Sequence, residues 1–138
     1  LGANEGPHGL VWLSDGRLIA TTERSQSVVV VEPRTGAVVS IATGQPGTHM
    51  IAVSPDRRRA YTANIPAGTV TVLDLTRRAT LRDLGVGGRP EGIAVSPDGR
   101  TLWVADLDGA RVQAFETAAL ERGGSVRPLA IVPTAVLF

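Results

Sequence analysis

One segment recurs three times along the chain, at offsets of 41 and 42 residues: Pro7 to Arg17, Thr48 to Arg58 and Pro90 to Arg100. A second apolar run follows each copy. Aligned on the turn aspartates Asp15, Asp56 and Asp98, the copies place Glu23, Asn64 and Asp106 at one position, and each copy closes a valine-rich run on an acidic residue, Glu32, Asp74 or Glu116. Any fold for this chain has to build the same unit three times and give each copy a neighbour.

The third copy shows the unit most clearly. Gly92 to Ser96 is a short apolar strand, and Pro97-Asp98-Gly99-Arg100 is a turn in which proline presets φ, aspartate bonds the backbone and glycine takes the left-handed position. Leu102 to Asp106 returns antiparallel, and Arg111 to Glu116 alternates with period two as a third strand. Ser125 to Ile131 is the expected outer strand, after a more helical or irregular Ala118 to Arg122. In the first copy Val28 to Val31 breaks the alternation of a sheet with one wet face, so both faces of that strand should be covered. A period near 40 residues made of short apolar runs predicts an all-β β-propeller with four-stranded antiparallel blades rather than a helical array. The expected blades are residues 7–46, 47–88 and 89–131, with the first strand of a fourth in 132–138.

Several strings resemble the YVTN-type β-propeller repeat, related in architecture to WD-repeat propellers: Ile51 to Asp56, Ala60 to Asn64 and Thr69 to Leu75. The resemblance covers nearly all the chain and implies a bacterial or archaeal protein of a kind that includes binding proteins, surface-layer proteins and a few enzymes, periplasmic or extracellular, although the chain shows no signal segment and a cytoplasmic place stays open. It departs from the pattern at Arg57, which stands where the turn glycine is expected and where a left-handed backbone costs roughly 1 kcal/mol. The first copy also lacks the turn proline.

Closed propellers have about four to eight blades. Three blades leave two sheet faces of about 350 Å² each in water, and each apolar face then forgoes on the order of 8 kcal/mol of burial. The chain is therefore expected to be part of a ring of about six to eight blades, completed by a longer chain or by a homo-oligomer.

Composition removes several chemistries. Cysteine is absent, which excludes disulfides, thiolate metal sites and a cysteine nucleophile. All 14 basic residues are arginine, so no Schiff-base or phosphate-loop lysine exists. A net charge of +1 provides no broad basic field, which argues against nucleic acid as a partner.

Both histidines of the chain, His8 and His49, fall at one repeat position just before the first strand, where the third copy has Glu91 and the partial fourth has Thr134. First strands line the channel of a propeller, so these four residues are the expected ligand-binding candidates at its mouth. Two imidazoles and a carboxylate, His8, His49 and Glu91, suit one divalent metal such as zinc, iron or manganese. Two function classes follow: a module presenting loops and a channel mouth to a small-molecule or protein ligand, and a metal-dependent lyase, lactonase or hydrolase. Glu23, Asn64 and Asp106 are expected in the opposite loop layer, bonding local backbone. Tyr61 and Trp103 share a position and read as packing between blades, while Trp12 is expected to face the channel. Arg57, Arg58, Arg59, Arg77, Arg78 and Arg82 form a possible basic rim, read mainly as solvated surface because no aromatic side chain is interleaved with it.

Overall fold

The computed structural model describes residues 2–133. Twelve strands and one short helix follow in order: β1 (Pro7–Trp12), β2 (Leu18–Thr22), β3 (Ser27–Glu32), β4 (Ala37–Ala42), β5 (Thr48–Val53), β6 (Arg59–Asn64), β7 (Thr69–Asp74), β8 (Ala79–Gly85), β9 (Pro90–Val95), β10 (Thr101–Asp106), β11 (Arg111–Glu116), α1 (Thr117–Arg122) and β12 (Ala130–Pro133). They form three four-stranded sheets, β1 to β4, β5 to β8 and β9 to β12, each an antiparallel meander in chain order. The fold is all-β, as the repeat requires. Two details depart from expectation: the first strands begin at Pro7, Thr48 and Pro90, so His8, His49 and Glu91 lie inside them rather than just before them, and the outer strand of the third sheet lies further along the chain. Val132 and Pro133, expected to open a fourth blade, pair with Val112 and Arg111 and so complete the third. The rest of the expected fourth-blade strand, with Thr134, lies outside the described residues.

Turn chemistry explains the hairpins. Asp15, Asp56 and Asp98 each accept the backbone N–H two residues on, at 3.0–3.1 Å. Gly16, Arg57 and Gly99 all take positive φ, so Arg57 does occupy the glycine position, at φ 60°. Its guanidinium reaches back to the preceding blade, donating to Ser14 Oγ at 3.1 Å.

Sheets stack by register. The first presents Val11, Ile19, Val28 and Val30 to a face of the second carrying Ile51, Val53, Ala60 and Leu73. The second turns Tyr61, Val70 and Val72 to Ile93, Val95, Leu102, Val104 and Phe115 of the third. Each fully covered side chain of this size contributes roughly 1.5–3 kcal/mol. Val28 and Val29 point to opposite sides of β3 and both are buried, which accounts for the unbroken valine run.

Ile19, Tyr61 and Trp103 pair with Val30, Val72 and Ala114, and so hold one structural position in successive blades. Ile19 is 0% exposed and Tyr61 1%, each covered by the next blade, whereas Trp103 is 37% exposed. Packing between blades, expected of both aromatics, is therefore made by Tyr61 alone among the described residues. Trp12, expected to face the channel, pairs with Leu18 on the face of the first sheet turned away from the second, and is 66% exposed.

The first strands are the close neighbours of adjacent sheets. β1 lies against β5 and β5 against β9, while β4 and β8 make fewer contacts. This fan puts β1, β5 and β9 at the inner edge, with their N-terminal ends together.

Candidate functional site

A β-bulge interrupts the first hairpin of every blade. Register slips between Pro7 and Leu10, between Thr48 and Met50, and between Pro90 and Gly92, which pair with Asp106 and Ala105. His8, His49 and Glu91 fall at these slips. A bulge bends the strand and re-aims the side chain at the extra residue, which is why bulges recur beside functional sites.

Close approach of β1 to β5 brings the two histidines together. The N–H of Gly9 donates to Thr21 Oγ1 at 2.7 Å, and Thr21 Oγ1 donates to the carbonyl of His49 at 2.5 Å. This buried relay joins the two blades beneath the site. A Cβ on Gly9 would stand 2.9 Å from the His49 carbonyl oxygen, so only glycine lets the strands come this near. The rings of His8 and His49 then stack, with centroids 3.7 Å apart and planes inclined by 33°.

The third member of the cluster is Glu23. Its carboxylate pairs with Nδ1 of His49, and donor atoms of His8, Glu23 and His49 all lie within 4.8 Å of one another. His8 is exposed, and the other two are half-buried. Glu91, expected as the carboxylate, does not join this group. Alignment on the turn aspartates misplaces Glu23 by one residue. The β1–β2 turn closes from Leu13 to Arg17, one residue shorter than the turns from Ser54 to Arg59 and from Ser96 to Thr101. Thr22, not Glu23, is consequently the partner of Asn64 and Asp106: it pairs with Pro7 as they pair with Thr48 and Pro90.

Those three residues do bind locally. Thr22 Oγ1 donates to the Ser27 carbonyl at 3.0 Å, Asn64 Nδ2 donates to Thr69 and Thr71, and Asp106 accepts the N–H groups of Gly109 and Arg89. Burial works against the charge of Asp106, but these donors and the Arg111 guanidinium at 3.0 Å hold its carboxyl below the ordinary carboxylate range. Glu23, one step further on, is free of that duty. It also lies at the same end of the sheet as His8, because the end of a second strand meets the start of the first in an antiparallel hairpin. None of Glu23, Asn64 and Asp106 lies in the opposite loop layer, since Asn64 and Asp106 pair with Thr48 and Pro90 at this same end of their sheets.

The arginines expected to make a rim divide by partner. Arg57 lies 3.5 Å from Asp15, and Arg59 binds Asp74 at 3.1 Å and Glu121 at 3.0 Å. Arg58 and Arg77 line a cleft with Arg59, and Arg78 lines another with Arg17. Both clefts lie at the far end of the strands from the histidines.

No protein-family model matches the chain. Among curated proteins it is similar to uncharacterized protein YncE of Salmonella typhi and of Salmonella typhimurium, 28% identical over 89 residues in each, covering 64% of this chain and 25% of the relative. Among solved structures it is similar to Kuenenia stuttgartiensis hydrazine synthase, with 26% identity and a TM-score of 0.84 over 96% of this chain and 37% of that one. A putative 6-phosphogluconolactonase from Bacteroides fragilis has 20% identity and a TM-score of 0.76, over 96% of this chain and 40% of that one. Virginiamycin B lyase from Staphylococcus aureus has 14% identity and a TM-score of 0.74, over 97% and 44%. The chain thus spans a quarter of the curated relatives it matches and less than half of these structures. With its three antiparallel four-stranded sheets, it has a β-propeller fold. No helix among the described residues is long and apolar enough to cross a membrane.

Proposed function

We propose that this chain is a ligand-binding β-propeller module whose site is the inner mouth formed by the bulged first strands, and that His8, Glu23 and His49 hold one divalent metal there. The observation that carries this reading is the convergence of three donors from two blades within 4.8 Å, above a buried relay and a glycine that permit the approach. Ligands around a tetrahedral ion with bonds of about 2.1 Å stand about 3.4 Å apart, so side-chain rotation has to move the donor atoms by no more than about 1.4 Å. Two imidazoles and a carboxylate suit zinc, iron or manganese. When bound, the metal would supply Lewis acidity towards a ligand oxygen at the exposed His8 side. A bound metal would take the place of the Glu23–His49 pairing, drawing a Glu23 oxygen and one ring nitrogen of each histidine to itself.

A second reading, a metal-dependent lyase, lactonase or related hydrolase, draws support from the exposure of His8, beside which a metal held by these three residues would supply an activated water or polarise a substrate carbonyl. The likeness to lactonase- and lyase-named structures adds fold alone. In either reading the mouth belongs to a larger ring, completed by further blades of a longer chain or by other copies. Exposed Trp103, Trp12 and Leu10 on the two outer faces support that completion. The exported location implied by the repeat resemblance is part of the same proposal.

Calorimetric titration with Zn(II) and Mn(II) tests the site. Wild-type protein should bind one equivalent, His49→Ala and Glu23→Gln should weaken binding by at least about tenfold, and Glu91→Gln should leave it unchanged. Absence of binding, or equal effects of the two glutamate substitutions, would sink the assignment.

A further inference from the structure

We infer a second binding site, for a small oxyanion, in the cleft between the second and third blades at the end of the strands remote from His8 and His49. Arg58, Arg59, Asp74, Thr76, Arg77, Leu81 and Glu121 line a cavity of about 420 Å³, within the range of small-molecule sites. Five- and six-residue strands put it on the order of 17–20 Å from the histidine cluster. It is a different site from the proposed metal centre and does not depend on it.

The charge distribution decides what it takes. Arg59 pairs with both acidic residues of the cavity, Asp74 at 3.1 Å and Glu121 at 3.0 Å, and Asp74 also accepts the N–H groups of Thr76 and Arg77. Arg58 and Arg77 remain, and neither makes an ion pair or a side-chain hydrogen bond among the described residues. Asp56 lies near Arg58, but its carboxylate accepts the Arg58 backbone N–H at 3.0 Å and the Ser54 hydroxyl at 2.6 Å.

Their backbones are held in place before any ligand arrives. The Leu75 N–H donates to the Arg58 carbonyl at 3.0 Å and staples the β5–β6 turn to the β7–β8 turn, while the Arg77 N–H donates to Asp74 at 2.8 Å. Arg58 and Arg77 thus line one cavity from two turns with fixed backbones, with Thr76 and Leu81 beside them. Planar guanidinium groups bind phosphoryl and carboxylate oxygens in pairs, and fixed backbones lower the ordering cost of doing so. A metabolite carrying a phosphoryl or carboxylate group and a short apolar part matches this lining. No aromatic side chain lines the cavity to stack a base, so a free small molecule is favoured over single-stranded nucleic acid.

Pyrophosphate, which can span two guanidinium groups, is the first probe, with citrate as the carboxylate arm and a mixed-sequence DNA oligonucleotide as the macromolecular arm. Binding of each is measured by calorimetry on the full chain. Pyrophosphate or citrate should bind, and Arg58→Ala and Arg77→Ala should each weaken that binding about tenfold, the loss of one charge-assisted hydrogen bond. Arg34→Ala, which removes the same charge from an exposed turn of the first blade, should leave it unchanged. Where an alanine variant loses its far-UV circular dichroism signal, the glutamine variant of the same arginine takes its place. The inference fails if neither small anion binds, if Arg34→Ala weakens binding as much as the cleft variants do, or if only the oligonucleotide depends on Arg58 and Arg77.

Discussion

Substituting Gly9 by alanine tests how two blades and the histidine cluster depend on one close approach. Gly9 is not among the residues with positive φ, so its backbone accepts alanine, and the smaller entropy of the unfolded chain would favour the variant by about 0.4–1 kcal/mol. The obstacle is steric. The new Cβ would meet the His49 carbonyl oxygen at 2.9 Å, about 0.5 Å inside ordinary contact, with Met50 Cα and Ile51 N at 3.2 Å behind it. All three are backbone atoms of β5 and none can rotate away. Overpacking of this kind costs roughly 1–3 kcal/mol. Separation of the strands also stretches the Thr21 relay, whose loss costs about 1 kcal/mol more. A net destabilisation of about 2 kcal/mol is expected, which lowers the urea midpoint by about 1 M for a slope near 2 kcal/mol/M. Gly85→Ala is the control, because its Cβ meets nothing within 4 Å and its φ is not positive. Gly9→Ala should also weaken the proposed zinc binding by drawing His8 away from His49. If the Gly9 variant matches or exceeds the wild type in urea, the close approach does not govern the packing of these blades and the argument from Gly9 is wrong.

Truncation at one repeat position should have unequal weights in adjacent blades: Tyr61→Ala is expected to cost about 3–5 kcal/mol, while Trp103→Ala, at a side chain already 37% exposed, should cost less in an isolated chain. Urea unfolding decides this, and a large loss at Trp103 would mean that its face is already covered in solution. Stability should also narrow at both pH extremes. Burial pushes the Tyr61 hydroxyl up to about 12, so its contribution is full below the ordinary value of about 10 and is lost as pH rises through the folded one. The N–H of Arg77, with Arg59 nearby, holds the Asp74 carboxyl down, so its contribution is full above about pH 4 and is lost as pH falls through the lower folded value. Thermal melts across pH check both limbs, and Tyr61→Phe should remove most of the alkaline one.

Periodicity carried the architecture because it depends on local pattern alone. Apolar alternation, Asp-Gly turns and a 42-residue recurrence are properties of short segments, and they placed β9, β10 and β11 within a residue or two. The candidate site was half legible. His8 and His49 could be found by aligning repeats, since each is the second residue of a first strand, β1 or β5. Glu23 was visible too, at the wrong repeat position, and a count of the first turn, one residue short between Leu13 and Arg17, is the signal that would have moved it. Trp103 looked like Tyr61 because their local strings agree; only the absence of a covering blade among the described residues separates them.

The sequence by itself determined three antiparallel units, their turns and the inner-edge position of the histidines, because each rests on propensities that act over a few residues. Tertiary structure alone decided that Glu23 rather than Glu91 meets the imidazoles, and that among the described residues the guanidinium groups of Arg58 and Arg77 make no ion pair while that of Arg59 makes two. Those outcomes depend on bulges, on a one-residue difference in a turn and on the approach of separate blades through Gly9. Such distances are set by packing between segments about 40 residues apart, and no local pattern encodes them.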